Sequence, residues 1–301
     1  MKELKRNYHL WIGGVMALLL MMLAVAGPHL PFVDSKLEPQ RLLFPQGGGV
    51  MKAPFPPSEQ FPLGSDRDGR DMLSMLVLGA RETLLLILGI TLIRYLIAVP
   101  LGLLGYKNKG FLSVLIHGWN QLFSSLPVIF MAILLLSLPL FLVYNENRFY
   151  WVIAIIALVD VGRVSYVVQQ QAHQLSKKPF MEAGITLGVR PFGMLKNYYL
   201  TNLAPEIATN FCIDIGRVAL LIGQLAIFKI FVSQEFVQTA YGMMELVNTS
   251  LEWGTIIKDA RRDVLKAFWI PFFPALALAY TIFTFNILGE GLRKYFNRHM
   301  A

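Results

Sequence analysis

Apolar runs of about 20 residues, the length a helix needs to cross a bilayer, recur along the whole chain and limit it to a small set of folds. They are Leu10–Gly27, Leu84–Tyr106, Phe111–Tyr144, Phe149–Val168, Leu203–Val232 and Ala267–Leu288. In lipid every backbone polar group must be satisfied internally, which leaves helices or a closed barrel. Barrel strands alternate with period 2, and these runs do not. The expected fold is therefore all-α, a polytopic membrane protein with six transmembrane helices. Composition agrees, with 55% of the 301 residues hydrophobic and only 15% charged, and a mean hydropathy of +0.53.

The net charge of +8 suits a nucleic-acid footprint only if it clusters on one face of a soluble fold. Here Lys and Arg sit in short loops between apolar runs, which is the positive-inside pattern, so no nucleic-acid partner is expected. The one cysteine, Cys212, allows no intramolecular disulfide and no metal site.

Residues 1–27 form the first expected span. Lys2, Lys5 and Arg6 precede its apolar run as in a signal peptide. The run is long for that role, however, and GPHLPF lacks a small-x-small cleavage site, so a retained span with its N-terminus inside is favoured. Residues 28–63, rich in Pro and Gly, read as an extracytoplasmic loop, and 64–289 as a core with five further spans. Within Gly64–Arg81, Asp68 is placed to cap a helix with Asp71 in its first turn, and Leu73, Leu76 and Val77 share a face. A short amphipathic helix at the interface is expected there, leading into a second span that Arg94 interrupts and Pro100 closes.

Lys107 and Lys109 mark a cytoplasmic turn, and Pro127 splits Phe111–Tyr144 into a lead-in helix and the third span. The turn Asn145–Arg148 is expected outside. After the fourth span comes a polar, basic loop, 169–202, carrying Lys177, Lys178, Arg190 and Lys196. Ser233–Lys266 is polar with balanced charge and is expected outside, and 290–301 is a basic tail. With six spans, both termini and the 169–202 loop share the cytoplasmic face.

No G-x-x-x-x-G-K-[ST] occurs, so no P-loop cradles a nucleotide. The five histidines are scattered, and neither G-x-S-x-G nor H-E-x-x-H is present, so no metal site or catalytic residue is assigned. Charges inside spans cost about 2.5–3.5 kcal/mol at the centre and so face protein or water. Arg94, Asp160, Asp214 and Arg217 are the candidates for a solute pathway or for ion pairs: Asp214 with Arg217 along one helix, Arg94 with Asp160 across two. Arg163 and Lys229 are expected to snorkel to an interface, and the Met-rich first span to face lipid. Within the 169–202 loop, Gly184 and Gly188 lie four apart on one short helix and permit close approach to another surface, although ordinary helix packing explains most such spacings.

The loop FMEAGITLGVRPFGMLKNYYLT (Phe180–Thr201) resembles the coupling motif E-A-A-x3-G-x9-I-x-L-P of binding-protein-dependent ABC importer permeases. Glu182, Ala183, Gly188 and Leu200 match; Gly184, Tyr198 and Thr201 replace an alanine, an isoleucine and a proline. Pro62–Arg81 resembles LGTDxxGRDxLSRLxxGAR, and Trp253-Gly254 with Phe285–Arg293 resembles the WG and FNLLGDGLRD elements of the dipeptide, oligopeptide and nickel class. Its C-type subunit, the OppC/DppC kind, is the nearer match. Ala240–Thr249 departs from that class's SFLGLG-x-x-P-P.

The resemblance implies a type I ABC importer permease (MetI-like) fold with no cofactor bound by this chain. A B-type permease would complete the pathway as a heterodimer. Two cytoplasmic ABC ATPases would use ATP and grip Glu182, Ala183, Gly184 and Gly188, and an extracytoplasmic binding protein would deliver a peptide, nickel or metal chelate. It further implies structural roles for Gly64, Asp66, Gly69, Arg70, Asp71, Asn286 and Gly289, and a bacterial cytoplasmic membrane location. The alternatives are a stand-alone secondary transporter with Asp160 or Asp214 as its coupling acid, and a membrane anchor or receptor subunit with no pathway.

Overall fold

The structure is a computed structural model and describes residues 7–44, 49–138, 148–230, 232–238, 244–248 and 250–300. Lys2, Lys5 and Arg6, the turn at 145–147 with the end of the third span near Tyr144, and part of 240–249 lie outside the described residues.

The first helix, α1, is Tyr8–Ala26, and most of its surface is left for lipid: Trp11, Ile12, Val15, Leu18, Met21 and Met22 are all exposed. The second, α2, is one helix of 33 residues, Met72–Leu104. At 1.5 Å per residue it is about 50 Å long, more than the hydrocarbon core requires. The amphipathic stretch expected as a separate helix is thus the start of the span itself, and Pro100 lies within the helix rather than closing it.

Its cap is Asp71 and not Asp68: the Asp71 carboxylate accepts the Ser74 N–H at 2.8 Å and hydroxyl at 2.6 Å. Asp68 is held in the preceding turn, where its N–H donates to Asp66 Oδ1 and Gly69 has φ +82°, which no helix continues.

Pro127 breaks the next apolar run as expected. Helices α3 (Phe111–Ser124) and α4 (Val128–Leu136) meet at 92°. The fourth span joins α5 (Arg148–Val159) to α6 (Val161–Ser176) through Asp160. It continues to Ser176, so polar residues expected to open the loop at 169 stay helical. A short helix, α7 (Pro179–Thr186), follows. Next comes α8, helical over Pro191–Ile227 with a π-helical stretch at Met194–Leu200. It ends before Lys229, whose φ is +58° and which pairs with Asp259 at 3.6 Å instead of lying in a span. The last helix, α9 (Trp269–Met300), absorbs the expected tail.

Two small antiparallel hairpins, β1–β2 (Leu42–Leu43 with Met51–Lys52) and β3–β4 (Gln234–Gln238 with Met244–Asn248), are the strands among the described residues. Five helices are long and apolar enough to cross a membrane, and the bent α3–α4 pair makes up to six.

The chain divides into two compact units. One comprises the described residues of Met1–Gly13, Leu88–Ile215 and Asn286–Ala301; the other Gly14–Ile87 and Gly216–Phe285. In the first, a buried cluster of Leu103, Val168, Ala172, Leu175, Met181, Met194, Tyr199 and Leu203 ties α7 to α2, α6 and α8. Backbones approach closely at Gly13, where a Cβ would meet Leu288 N at 2.6 Å, and at Gly291, where it would meet Leu10 N at 2.5 Å. Together with a bond from Asn7 Nδ2 to Gly291 O at 2.8 Å, this pins the start of α1 to α9.

In the second unit, the loop around Gly64–Asp71 is seated on Trp269, whose indole donates to Ser65 O at 3.1 Å. Trp253 is buried and donates its indole N–H to Leu76 O at 2.8 Å.

Candidate functional site

Two arrangements in the first unit are candidates for a functional site. The first is a charged cluster inside the helical bundle. Arg94 on α2 is almost wholly buried, with Nη1 3.1 Å from Asp160 Oδ2, as expected for this cross-helix pair. Its other nitrogens donate to the carbonyls of Ile156 at 3.1 Å and Ala157 at 3.4 Å. The break at Asp160, where α5 gives way to α6, turns that side chain toward both arginines.

Arg163 corrects the expectation that it snorkels away: it forks onto Asp160 through Nε and Nη2, each at 2.7 Å, and Nη2 reaches Asp214 at 2.8 Å. Tyr95 OH donates to the other Asp214 oxygen at 3.0 Å. The signal for Arg163 was present in the sequence, since Asp160 and Arg163 are three apart and share a helix face. Tyr95 gave none. Arg217, a turn beyond Asp214, is exposed.

Beside this cluster lies a cavity of about 370 Å³ at the α3–α4 break, lined by Asn120, Ser124, Ser125, Val128, Asp160 and Arg163 among others.

The second arrangement is α7 with its flanks. Met181 and Gly184 face inward and are buried; Glu182 and Ala183 face outward. A Cβ at Gly184 would lie 3.1 Å from Met194 Sδ and from Tyr198 Cε1. Two of the three departures from the coupling motif therefore stand against each other: a smaller residue at 184 accommodates the larger ring at 198.

Gly188 is not on the helix face, contrary to the expected small-residue stripe. It follows the helix with φ +75° and open space around its missing Cβ. Val189 N–H bonds Gly184 O at 3.2 Å and Gly188 N–H bonds Ile185 O at 3.0 Å, the paired bonds of a Schellman end. Beside Glu182 several apolar side chains project outward: Phe180, Ile185, Leu187 and Phe192 are 41%, 63%, 80% and 74% exposed. A patch of this kind marks a contact surface.

The residues expected to be structural differ in their surroundings. Gly64 and Gly69 both take left-handed backbone, and a Cβ at Gly69 would collide with Gln40 O. Asp66 accepts the N–H groups of Asp68 at 2.9 Å and Arg70 at 2.8 Å, while burial pushes its carboxyl above the usual range. Arg70 pairs with Asp68 at 3.2 Å rather than with Asp71. Gly289 packs on α8 against Ile213 and Thr209, and Asn286 is exposed. Among the described residues no group of three or more His, Cys, Asp or Glu could hold a metal.

Residues 98–301 match the family described as binding-protein-dependent transport system inner membrane component. The chain is 28% identical to the oligopeptide transport system permease protein OppC of Haemophilus influenzae, over 76% of this chain and 68% of that one. It is 25% identical to the dipeptide transport system permease protein DppC of Bacillus subtilis, over 97% and 82%. It is also 25% identical to the glutathione transport system permease protein GsiD of Pectobacterium atrosepticum, over 79% and 72%.

Proposed function

The chain belongs to the binding-protein-dependent transport system inner membrane components, multi-pass permease subunits of ATP-driven importers, and from that premise we propose that its solute is a short peptide or a close relative of one. The similar permeases named for oligopeptides, dipeptides and glutathione support this; nickel and metal chelates are the next class to test. A second permease subunit forms the other half of the pathway, two cytoplasmic ATPases supply the work, and an extracytoplasmic binding protein delivers the solute. This chain holds no nucleotide and no cofactor of its own. Both termini and α7 face the cytoplasm, across a bacterial inner membrane.

The observation that carries the coupling role is the geometry of α7. It is a short helix, fixed from inside by Met181 and Gly184, ended at Gly188, and offering apolar side chains on its outer face. Glu182, Ala183, Gly184 and Gly188 hold or present that face. Closure of the ATPase pair moves it as a rigid body and switches the pathway between inward- and outward-facing states.

Against the ion-coupled alternative, Asp160 and Asp214 are both engaged by arginine, so each already has its counter-ion within the chain. A photo-crosslinking residue at Leu187, in the membrane-assembled complex, is expected to capture an ATPase subunit. Capture of lipid alone would remove the coupling assignment.

A further inference from the structure

The charged cluster leaves one donor over. All four carboxylate oxygens of Asp160 and Asp214 accept a hydrogen bond, from Arg94, Arg163 or Tyr95. Arg163 meets them with Nε and Nη2 alone, and its Nη1 donates to no described residue. Arg163 is also the most exposed of the four charged groups, at 33% of its side chain against 2% for Arg94, 8% for Asp160 and 2% for Asp214.

It lines the cavity at the α3–α4 break, where Asn120, Ser124 and Ser125 can hydrogen-bond within a lining that also includes the apolar Phe123, Leu126 and Pro127. Val128, the first residue of α4, lines the same cavity, so the positive end of that helix dipole adds to the guanidinium there. Half-helix N-termini at broken spans are where transport proteins meet anionic groups.

We propose that Arg163 Nη1 binds an oxyanion of the solute in transit, a carboxylate such as the C-terminus of a short peptide. This rests on the permease reading and adds a pathway contact to it. Two arginines and two aspartates make the cluster neutral, so a carboxylate gains one directed hydrogen bond and a favourable dipole but no net counter-charge. Such a site is weak, as a pathway site must be if the solute is to leave.

The test uses the full chain assembled with its partners in proteoliposomes, with Cys212→Ser removing the one native thiol and Ser124→Cys placing a thiol in the cavity. Modification rates are compared for carboxyethyl methanethiosulfonate and its trimethylammonium-ethyl counterpart, each normalised to its rate with a free thiol. The carboxylate reagent is expected to be favoured several-fold, and Arg163→Gln, which uncovers two carboxylates, to reverse the preference. Arg163→Lys serves if Arg163→Gln fails to assemble, and is expected to shrink the preference.

Equal or cation-favouring rates in the parent overturn the proposal. So does absence of modification while Leu265→Cys, exposed and outside α7 and its flanks, reacts in the same complex. ATP-dependent uptake is read separately on the same vesicles, so a failed permease reading and a failed contact give different results.

Discussion

A left-handed backbone costs a residue with a Cβ about 1–2 kcal/mol, and Gly188 adopts that backbone in open space. Gly188→Ala and Gly188→Val therefore meet no clash and act only by loosening the end of α7. Membrane insertion is expected to be unchanged, while ATP-dependent uptake falls, by at most the roughly 5- to 30-fold shift in the ratio of ordered to frayed helix end. Normal uptake by Gly188→Val would show that this helix end transmits nothing.

Asp160 is different in kind. Asp160→Asn strands the buried Arg94 guanidinium, and breaking a buried pair costs about 3–5 kcal/mol. The expected outcome is little folded protein rather than folded, inactive protein, as read by size-exclusion yield after solubilisation. Glu252 is buried, and burial, with Glu82 nearby, pushes its carboxyl up to about 8. The folded state thus holds this proton over a range where the unfolded chain, near 4.5, has lost it. Stability is fullest at low pH and is lost as pH rises toward 8. Glu252→Gln is expected to flatten that fall, raising the unfolding midpoint at pH 8–9 by a few degrees, on the order set by about 1 kcal/mol in a chain of this size. An unchanged pH profile would contradict it.

At the scale of elements, the pairing of Gly184 with Tyr198 joins α7 to the π-helical start of α8. Gly184→Ala brings a Cβ within 3.1 Å of the tyrosine ring, an overpacking of about 1–3 kcal/mol. Its uptake is expected to drop, and Gly184→Ala with Tyr198→Ile to recover most of the loss; additive losses in the double variant would mean that the two residues act independently. Such coupling was only half legible in the sequence. Two of the three departures from the coupling motif stand at residues 184 and 198, but linear spacing does not place side chains on two different helices in contact. Helix ends were misjudged for a related reason. Polarity was expected to end the fourth span at Val168 and hydropathy to begin the second at Leu84, yet buried partners carry the helices on to Ser176 and back to Met72. Where chain stiffness alone decides, the sequence sufficed: Pro127 breaks α3 from α4 where expected.

For the whole molecule, hydrophobic length sets the number of spans, and that much was plain from the chain. The charged cluster was partly plain. Arg94, Asp160 and Asp214 stood out because lone charges in lipid demand partners, whereas Arg163 looked free to reach the interface and Tyr95 looked apolar. Their contacts with Asp214 run between different helices, α2 and α6 to α8, which linear spacing does not bring together. The chain so built has helices to cross the membrane, a cavity beside a neutral ion cluster, and a short helix fit to be pushed. It remains to drive it. The most direct measurement is uptake of a labelled short peptide by proteoliposomes holding this chain, its second permease subunit, two ATPases and the binding protein, with ATP inside or absent and with or without a protonophore. Uptake is expected to require ATP and to persist when the protonophore collapses the gradient. Uptake that proceeds without ATP and ceases with the protonophore would contradict the account.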